Sequence, residues 1–146
     1  MAGVRRGAQA VLKYLAPLFV IAIIVQIFLA GEGIFGIKRV DSLDDAKTLD
    51  PHRGLGFILT FPGALLLLIV ALLAWHPDRR VRIVSLILPF ELFLQIVLAN
   101  AGRWAGAFHP LNGVLLLGLF MWLTYLLWRA KDLAVEGGPA TAVADA

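Results

Sequence analysis

Four stretches of about twenty residues, nearly free of charge and separated by short polar segments, dictate most of what this chain can become. A helix that crosses the hydrocarbon core of a bilayer needs about 20 mostly apolar residues. Runs 14–37, 52–75, 83–101 and 109–128 meet that requirement. The first carries no charge before Glu32, the second none after Arg53, the third only Glu91, and the fourth none. Pro17, Pro62 and Pro89 fall inside or near the ends of these runs. Bilayer helices tolerate proline there because neighbouring groups re-satisfy the freed backbone. Composition agrees, with 60% of the 146 residues hydrophobic, 16% charged and a mean hydropathy of +0.86. A soluble domain is nearer 45–50% apolar and 25% charged, as rough averages. The expectation is therefore an all-α integral membrane protein: a four-transmembrane-helix antiparallel bundle over residues 1–135. The remaining segment, 136–146, is small, polar and Gly/Pro-bearing, and reads as a disordered tail.

The absence of cysteine excludes disulfides, iron–sulfur ligation and thiolate zinc sites together. The net charge of +3 comes from basic residues flanking the apolar runs, so it is not read as a nucleic-acid patch. The same residues set an expected direction. Arg5, Arg6, Lys13, Arg79, Arg80, Arg82, Arg129 and Lys131 fall on one side of the four runs, eight in all. Lys38, Arg39, Lys47, Arg53 and Arg103 fall on the other, among the acidic residues Asp41, Asp44, Asp45 and Asp50. Eight against five favours both termini in the cytoplasm. A cleaved signal peptide ending at Ala30 would place bulky Phe28 at the −3 position, and Arg5-Arg6 lacks the rest of a twin-arginine signal. The first helix is expected to be retained.

The chain also repeats itself. Gln26-Ile27-Phe28-Leu29-Ala30-Gly31 in the first run matches Gln95-Ile96-Val97-Leu98-Ala99-Asn100 in the third at four of six positions. The run that follows opens in both cases on His-x-x-x-Gly: His52 to Gly56, and His109 to Gly113. Gln and His are uncommon in spans, and here they recur in the same order on the same membrane side. The chain thus reads as two copies of one helical hairpin.

Both histidines start a helix at matched depth in this topology. Residues i and i+4 share a helix face, so each histidine has a glycine one turn deeper beside it. Two imidazoles on separate helices, each with a clear surface alongside, suit bis-histidine haem ligation. A helix N-terminus disfavours imidazolium and leaves the metal-binding neutral ring. Arg53 would lie within reach of a haem propionate, and Gln26 and Gln95 could fix a ring nitrogen or a propionate. A plainer reading stays open beside this one. Interfacial histidine and Arg53 can be amphipathic anchors, the glycines can serve close helix packing, and the glutamines can be interhelical glue.

Glu91 lies near the middle of the third run, where an ionised carboxylate is costly and commonly functional. It is read either as a proton-accepting or cation-pairing group or as a hydrogen-bonded structural residue. Glu32, near the outer boundary, has Arg53, Arg103 or water as candidate partners. His76, in Trp75-His76-Pro77-Asp78-Arg79-Arg80, has no counterpart in the repeat and reads as a loop residue at the opposite end.

These motifs carry a resemblance. The sequence QIFLAG closing the first run, HRGLG opening the second and HPLNG opening the fourth resemble one four-helix half of the haem A synthase family. They are also similar to small uncharacterised four-helix bacterial membrane proteins that share the HR-x-x-G and HP-x-x-G signatures. The resemblance covers roughly residues 20–125. It implies a bundle in the bacterial inner (plasma) membrane, with His52 and His109 as axial ligands of a haem b. The pattern also departs from the synthases. Leu49, not glutamate, stands three residues before His52, with Asp50 next to it; the synthases are also double-length, and the outer-loop cysteine pair that many of them have is absent here. With these departures the resemblance implies a single b-type haem site without methyl hydroxylation, or a haem-free relative that keeps the bundle.

Three functional readings follow. The first is a bis-histidine b-type haem protein for electron transfer or haem handling, with a membrane redox partner or a second copy of itself. The second is a haem-free structural or interaction subunit of a membrane complex, and the third a proton-coupled carrier using Glu91.

Overall fold

The computed structural model describes residues 2–37 and 47–136. They are helical almost throughout, with no strand among the described residues. Helix α1 spans Ala2–Gly36. A 3-10 turn at Lys47–Leu49 leads into α2, Asp50–Ile58, which passes through a single π-helical turn at Leu59–Gly63 into α3, Ala64–Ala74. Helix α4 spans Arg79–Asn100, α5 is the short Gly102–Gly106, and α6 runs from His109 to Glu136. Four of the resulting helical stretches are long and apolar enough to cross a membrane: Ala2–Gly36, Lys47–Ala74, Arg79–Asn100 and Gly102–Arg129. In length and composition these are the helices of a membrane protein. Asp41, Asp44 and Asp45, with Lys38 and Arg39, lie outside the described residues, as does nearly all of the expected tail.

The first helix starts about a dozen residues earlier than the apolar run. Nothing in Arg5-Arg6-Gly7-Ala8-Gln9 forbids helix, and tertiary contacts hold it there: Ala8 and Leu12 are buried one turn apart, and Gln9 Nε2 donates to Ala74 O at 3.1 Å. Pro62 explains the π turn. Having no N–H, it cannot bond the carbonyl four residues back, and a wider turn absorbs the mismatch. Asp78 caps α4, its side chain accepting from Arg80 N–H at 2.7 Å.

Helix α1 packs on α3 and α6, and α4 packs on the same two, so the four long elements form a closed ring. Its buried apolar residues come from Ala8–Ile23, Ala64–Ala74, Val81–Leu92 and Leu116–Leu127. Phe19 and Phe120 stack at its centre, 4.7 Å apart and 4° from parallel, with Leu12, Leu67, Leu88 and Leu123 around them fully buried. This core occupies one end and the middle of the ring. Lys13 lies over Trp128, Arg82 over Trp75 and Arg129 over Tyr125 at that end, each cation within 4.5–5.8 Å of the ring centre. At the other end, beyond Ile23, Leu92 and Leu116 and among the described residues, Gly33 and Asn112 are buried but no large apolar side chain is. There the helices are joined by polar side chains instead.

Candidate functional site

The polar end is built from two copies of one contact. In the first, Gln26 on α1 donates from Nε2 to the backbone carbonyl of His52, at 2.8 Å. His52 Nδ1 returns the bond to the backbone carbonyl of Gln26, at 3.1 Å. In the second, Gln95 on α4 donates from Nε2 to His109 O at 2.9 Å, and His109 Nδ1 reaches Gln95 O at 2.9 Å. Each glutamine and histidine thus clasp each other twice, side chain to backbone in both directions.

The His-x-x-x-Gly spacing has a direct cause in this clasp. A helix carbonyl at position i is approached past the side chain at i+4. A Cβ at Gly56 would stand 2.8 Å from Gln26 Nε2, and one at Gly113 would stand 3.3 Å from Gln95 Nε2. The glycines leave room for the glutamines. The surface beside each histidine that the sequence left clear is therefore filled from within the chain by a carboxamide.

Proline assists at both helix starts. Pro51 lies in the first turn of α2 and Pro110 follows His109 in α6, where a missing N–H removes nothing the helix needs. Both histidines consequently sit in a first turn, half-buried, and their rings meet. The His52 and His109 centroids are 6.1 Å apart with the planes at 81°.

The hydrogen bonds fix the chemistry of the rings. A carbonyl oxygen can only accept, so each neutral imidazole carries its proton on Nδ1 and leaves a lone pair on Nε2. At His109 the Gln95 amide lies 3.4 Å from Nε2, a long contact to that lone pair. This is the arrangement by which an outer hydrogen bond orients a metal-ligating histidine and fixes its tautomer.

The two halves differ at one position. Asn112, buried beside the second clasp, donates from Nδ2 to Gln95 Oε1 at 2.8 Å and makes a longer 3.4 Å contact with the backbone carbonyl of Glu91. The corresponding position after His52, three residues on, is Leu55. Accordingly Gln26 Oε1 is buried without a hydrogen-bond partner among the described residues. Asn112 was missed in the sequence although it lies inside HPLNG; a polar residue three positions after a histidine in an apolar helix was the available signal.

The remaining sequence candidates lie around this cluster. The Arg53 guanidinium forms an exposed ion pair with Asp50 at 3.1 Å, one turn back on α2. Glu91 lies one turn from Gln95 on α4, half-buried, with Oε2 buried and without a hydrogen-bond partner among the described residues. Glu32 and Arg103 are exposed. His76 lies between α3 and α4, its Nδ1 accepting from Asp78 N–H at 3.2 Å. Burial holds this imidazole below its ordinary basicity, with Asp78 opposing that shift and Arg82 adding to it.

Among the described residues no group of three or more His, Asp or Glu side chains could hold a metal ion, so any metal here would be held by the two imidazoles and by ligands of its own. The residues present fit such a group in their donor chemistry: the Nδ1-protonated tautomers make Nε2 of each ring the nitrogen that would hold a metal, and the two ring centroids lie 6.1 Å apart, edge to face. Comparison of the chain with protein-family models, with curated proteins and with solved structures found no match.

Proposed function

We propose that this chain is a bis-histidine haem protein of the bacterial plasma membrane, with His52 and His109 as axial ligands of one b-type haem. The observation that carries the reading is the meeting of the two rings edge to face with centroids 6.1 Å apart, each with Nδ1 committed to a backbone carbonyl, so that Nε2 is the nitrogen a metal would take once the long Gln95 contact at His109 gives way. The resemblance to one half of the haem A synthases points the same way. A haem held there supplies one-electron chemistry, and the role is electron transfer or haem handling, with the lipid bilayer around it and a membrane redox partner or a second copy beside it.

The residues have distinct tasks in this reading. Gln26 and Gln95 orient the imidazoles through the two clasps, and Gly56 and Gly113 admit the glutamines. Asn112 braces Gln95, and Arg53 is the cation that would meet a propionate in exchange for its present partners, Asp50 among them. The two clasps also support an internal duplication: an antiparallel bundle of two repeated hairpins related across the histidine pair. With the basic end in the cytoplasm, both termini lie there and the histidines face the outer side.

The test is a reduced-minus-oxidised visible spectrum of protein purified in detergent after expression with a haem precursor. The expected result is a sharp α-band that disappears in both His52→Ala and His109→Ala. A colourless protein, or a band that survives either substitution, overturns the assignment.

A further inference from the structure

Between α4 and α6, at the basic end, lies a cleft of about 230 Å³ lined by Arg80, Ile83, Val84, Ile87, Leu119 and Trp122. Its α4 wall follows one helix face at spacings of three and four residues, from Arg80 to Ile87. Seven residues of helix rise about 10 Å, so the wall runs from the charged boundary well into the apolar zone. Every lining residue is apolar or aromatic except Arg80, which stands at the boundary end, and Trp122 has the amphipathic character of an interfacial anchor.

The cations of this end are not equally committed. Arg82 donates to His76 O and lies over Trp75, Arg129 bonds Tyr125 Oη, and Lys13 lies over Trp128. The Arg80 guanidinium is exposed and has no hydrogen-bond or ion-pair partner among the described residues, and the same holds for its neighbour Arg79. The nearest acid, Asp78, is engaged with the Arg80 backbone N–H as the helix cap.

We propose that this cleft is a binding site for one anionic phospholipid, with its phosphate on Arg80 and an acyl chain between Ile87 and Leu119. An apolar slot with a free guanidinium at its membrane-boundary end has the same two-part chemistry as such a lipid. Basic pockets between spanning helices are suited to anionic headgroups, and one cation near the surface contributes about 1 kcal/mol, or roughly fivefold in affinity. Arg79 adds to the field that favours a net negative headgroup over a zwitterion.

The test is native mass spectrometry of the detergent-purified chain, titrated with palmitoyl-oleoyl phosphatidylglycerol or with the phosphatidylcholine of the same chains. Wild type retains phosphatidylglycerol about fivefold more strongly than phosphatidylcholine. Arg80→Gln removes most of the preference, leaving the small part that Arg79 supplies, while Arg103→Gln, at the opposite end, leaves it intact. Leu119→Trp, which fills the slot with Arg80 in place, also abolishes retention; Ile87→Phe serves if that variant does not fold. Dihexanoyl phosphatidylglycerol, with the same headgroup and short chains, is not retained. Unchanged preference in Arg80→Gln, or in a folded slot-filling variant, overturns the site, as does equal retention of the short-chain lipid.

Discussion

Gly56 and Gln26 fit each other through a missing atom: a Cβ on Gly56 would stand 2.8 Å from the amide nitrogen that Gln26 presents to His52 O. The amide is the free end of a flexible side chain, yet its hydrogen bond holds it in place. Alanine at 56 must therefore displace the glutamine, whereas alanine at 113, 3.3 Å from Gln95 Nε2, asks only for a small shift. Gly118, in the same helix as Gly113, has open space around its missing Cβ and serves as the reference. Alanine in place of a helical glycine gains up to about 1 kcal/mol, and a lost side-chain hydrogen bond within a membrane costs about 0.6–2 kcal/mol. The expected order of stability is Gly118→Ala above Gly113→Ala above Gly56→Ala, with about 1 kcal/mol or more between the extremes. Unfolding in mixed detergent micelles measures it. Equal gains at 56 and 118 would show that the clasp holds nothing.

Asn112 and Leu55 predict opposite effects from one exchange. Asn112→Leu removes the donor from Gln95 Oε1, leaving that oxygen in the state Gln26 Oε1 already has. A buried acceptor stripped of its partner costs about 1–3 kcal/mol, and less where the unfolded chain also lies in the membrane. Leu55→Asn is expected to supply the missing donor to Gln26 and to raise stability. Thermal melts of both variants in one detergent decide the matter, and destabilisation by both would sink the pairing of the two positions.

The ring tautomers are directly observable. Nitrogen-15 NMR of protein labelled at histidine is expected to show His52 and His109, in their neutral forms, protonated at Nδ1 and bare at Nε2. Protonated Nε2 on either ring would break the link between the clasp and metal ligation.

Much of this arrangement was legible in the sequence, because its causes are local or repeated. The four spans follow from run length alone. The order Gln then His at one membrane end reads out as the repeat, since a pair of uncommon residues in matching positions constrains the fold more than shared leucines do. Two things were not legible. The glycine beside each histidine left a space whose occupant depends on the neighbouring helix, and periodicity along one helix cannot say whether a carboxamide or a ligand fills it. The early start of α1 depends on Gln9 meeting Ala74, residues separated by 65 positions, and no local signal reports that. The loop reading of His76 agrees with the turn it occupies between α3 and α4.

Glu91 separates stability from function. Its Oε2 is buried without a hydrogen-bond partner among the described residues, so the side chain forgoes hydration with incomplete compensation. Glu91→Met, similar in length and apolar, is expected to stabilise the protein by about 1 kcal/mol. Detergent unfolding of the variant checks this. A loss of stability would mean that the carboxyl is satisfied by a partner such as bound water, and would make it a structural member of the Asn112–Gln95 network.

His76 predicts how stability changes with pH at the basic end. Burial lowers its basicity in the folded chain from the ordinary value of 6.5, so between the folded and unfolded midpoints the unfolded chain binds more protons. Stability therefore rises with pH through this window and is lost as pH falls below about 6.5 toward the lower folded midpoint. Protonation also removes the Nδ1 lone pair that accepts from Asp78 N–H, which loosens the turn leading into the α4 cap. His76→Asn keeps an acceptor for Asp78 and cannot titrate. The melting temperature of wild type is expected to fall between pH 7.5 and 5 more than that of His76→Asn. The difference between the two curves isolates this ring from His52, His109 and the carboxylates, which both proteins share. Parallel curves would assign the pH dependence to those other groups and leave His76 a passive member of the turn.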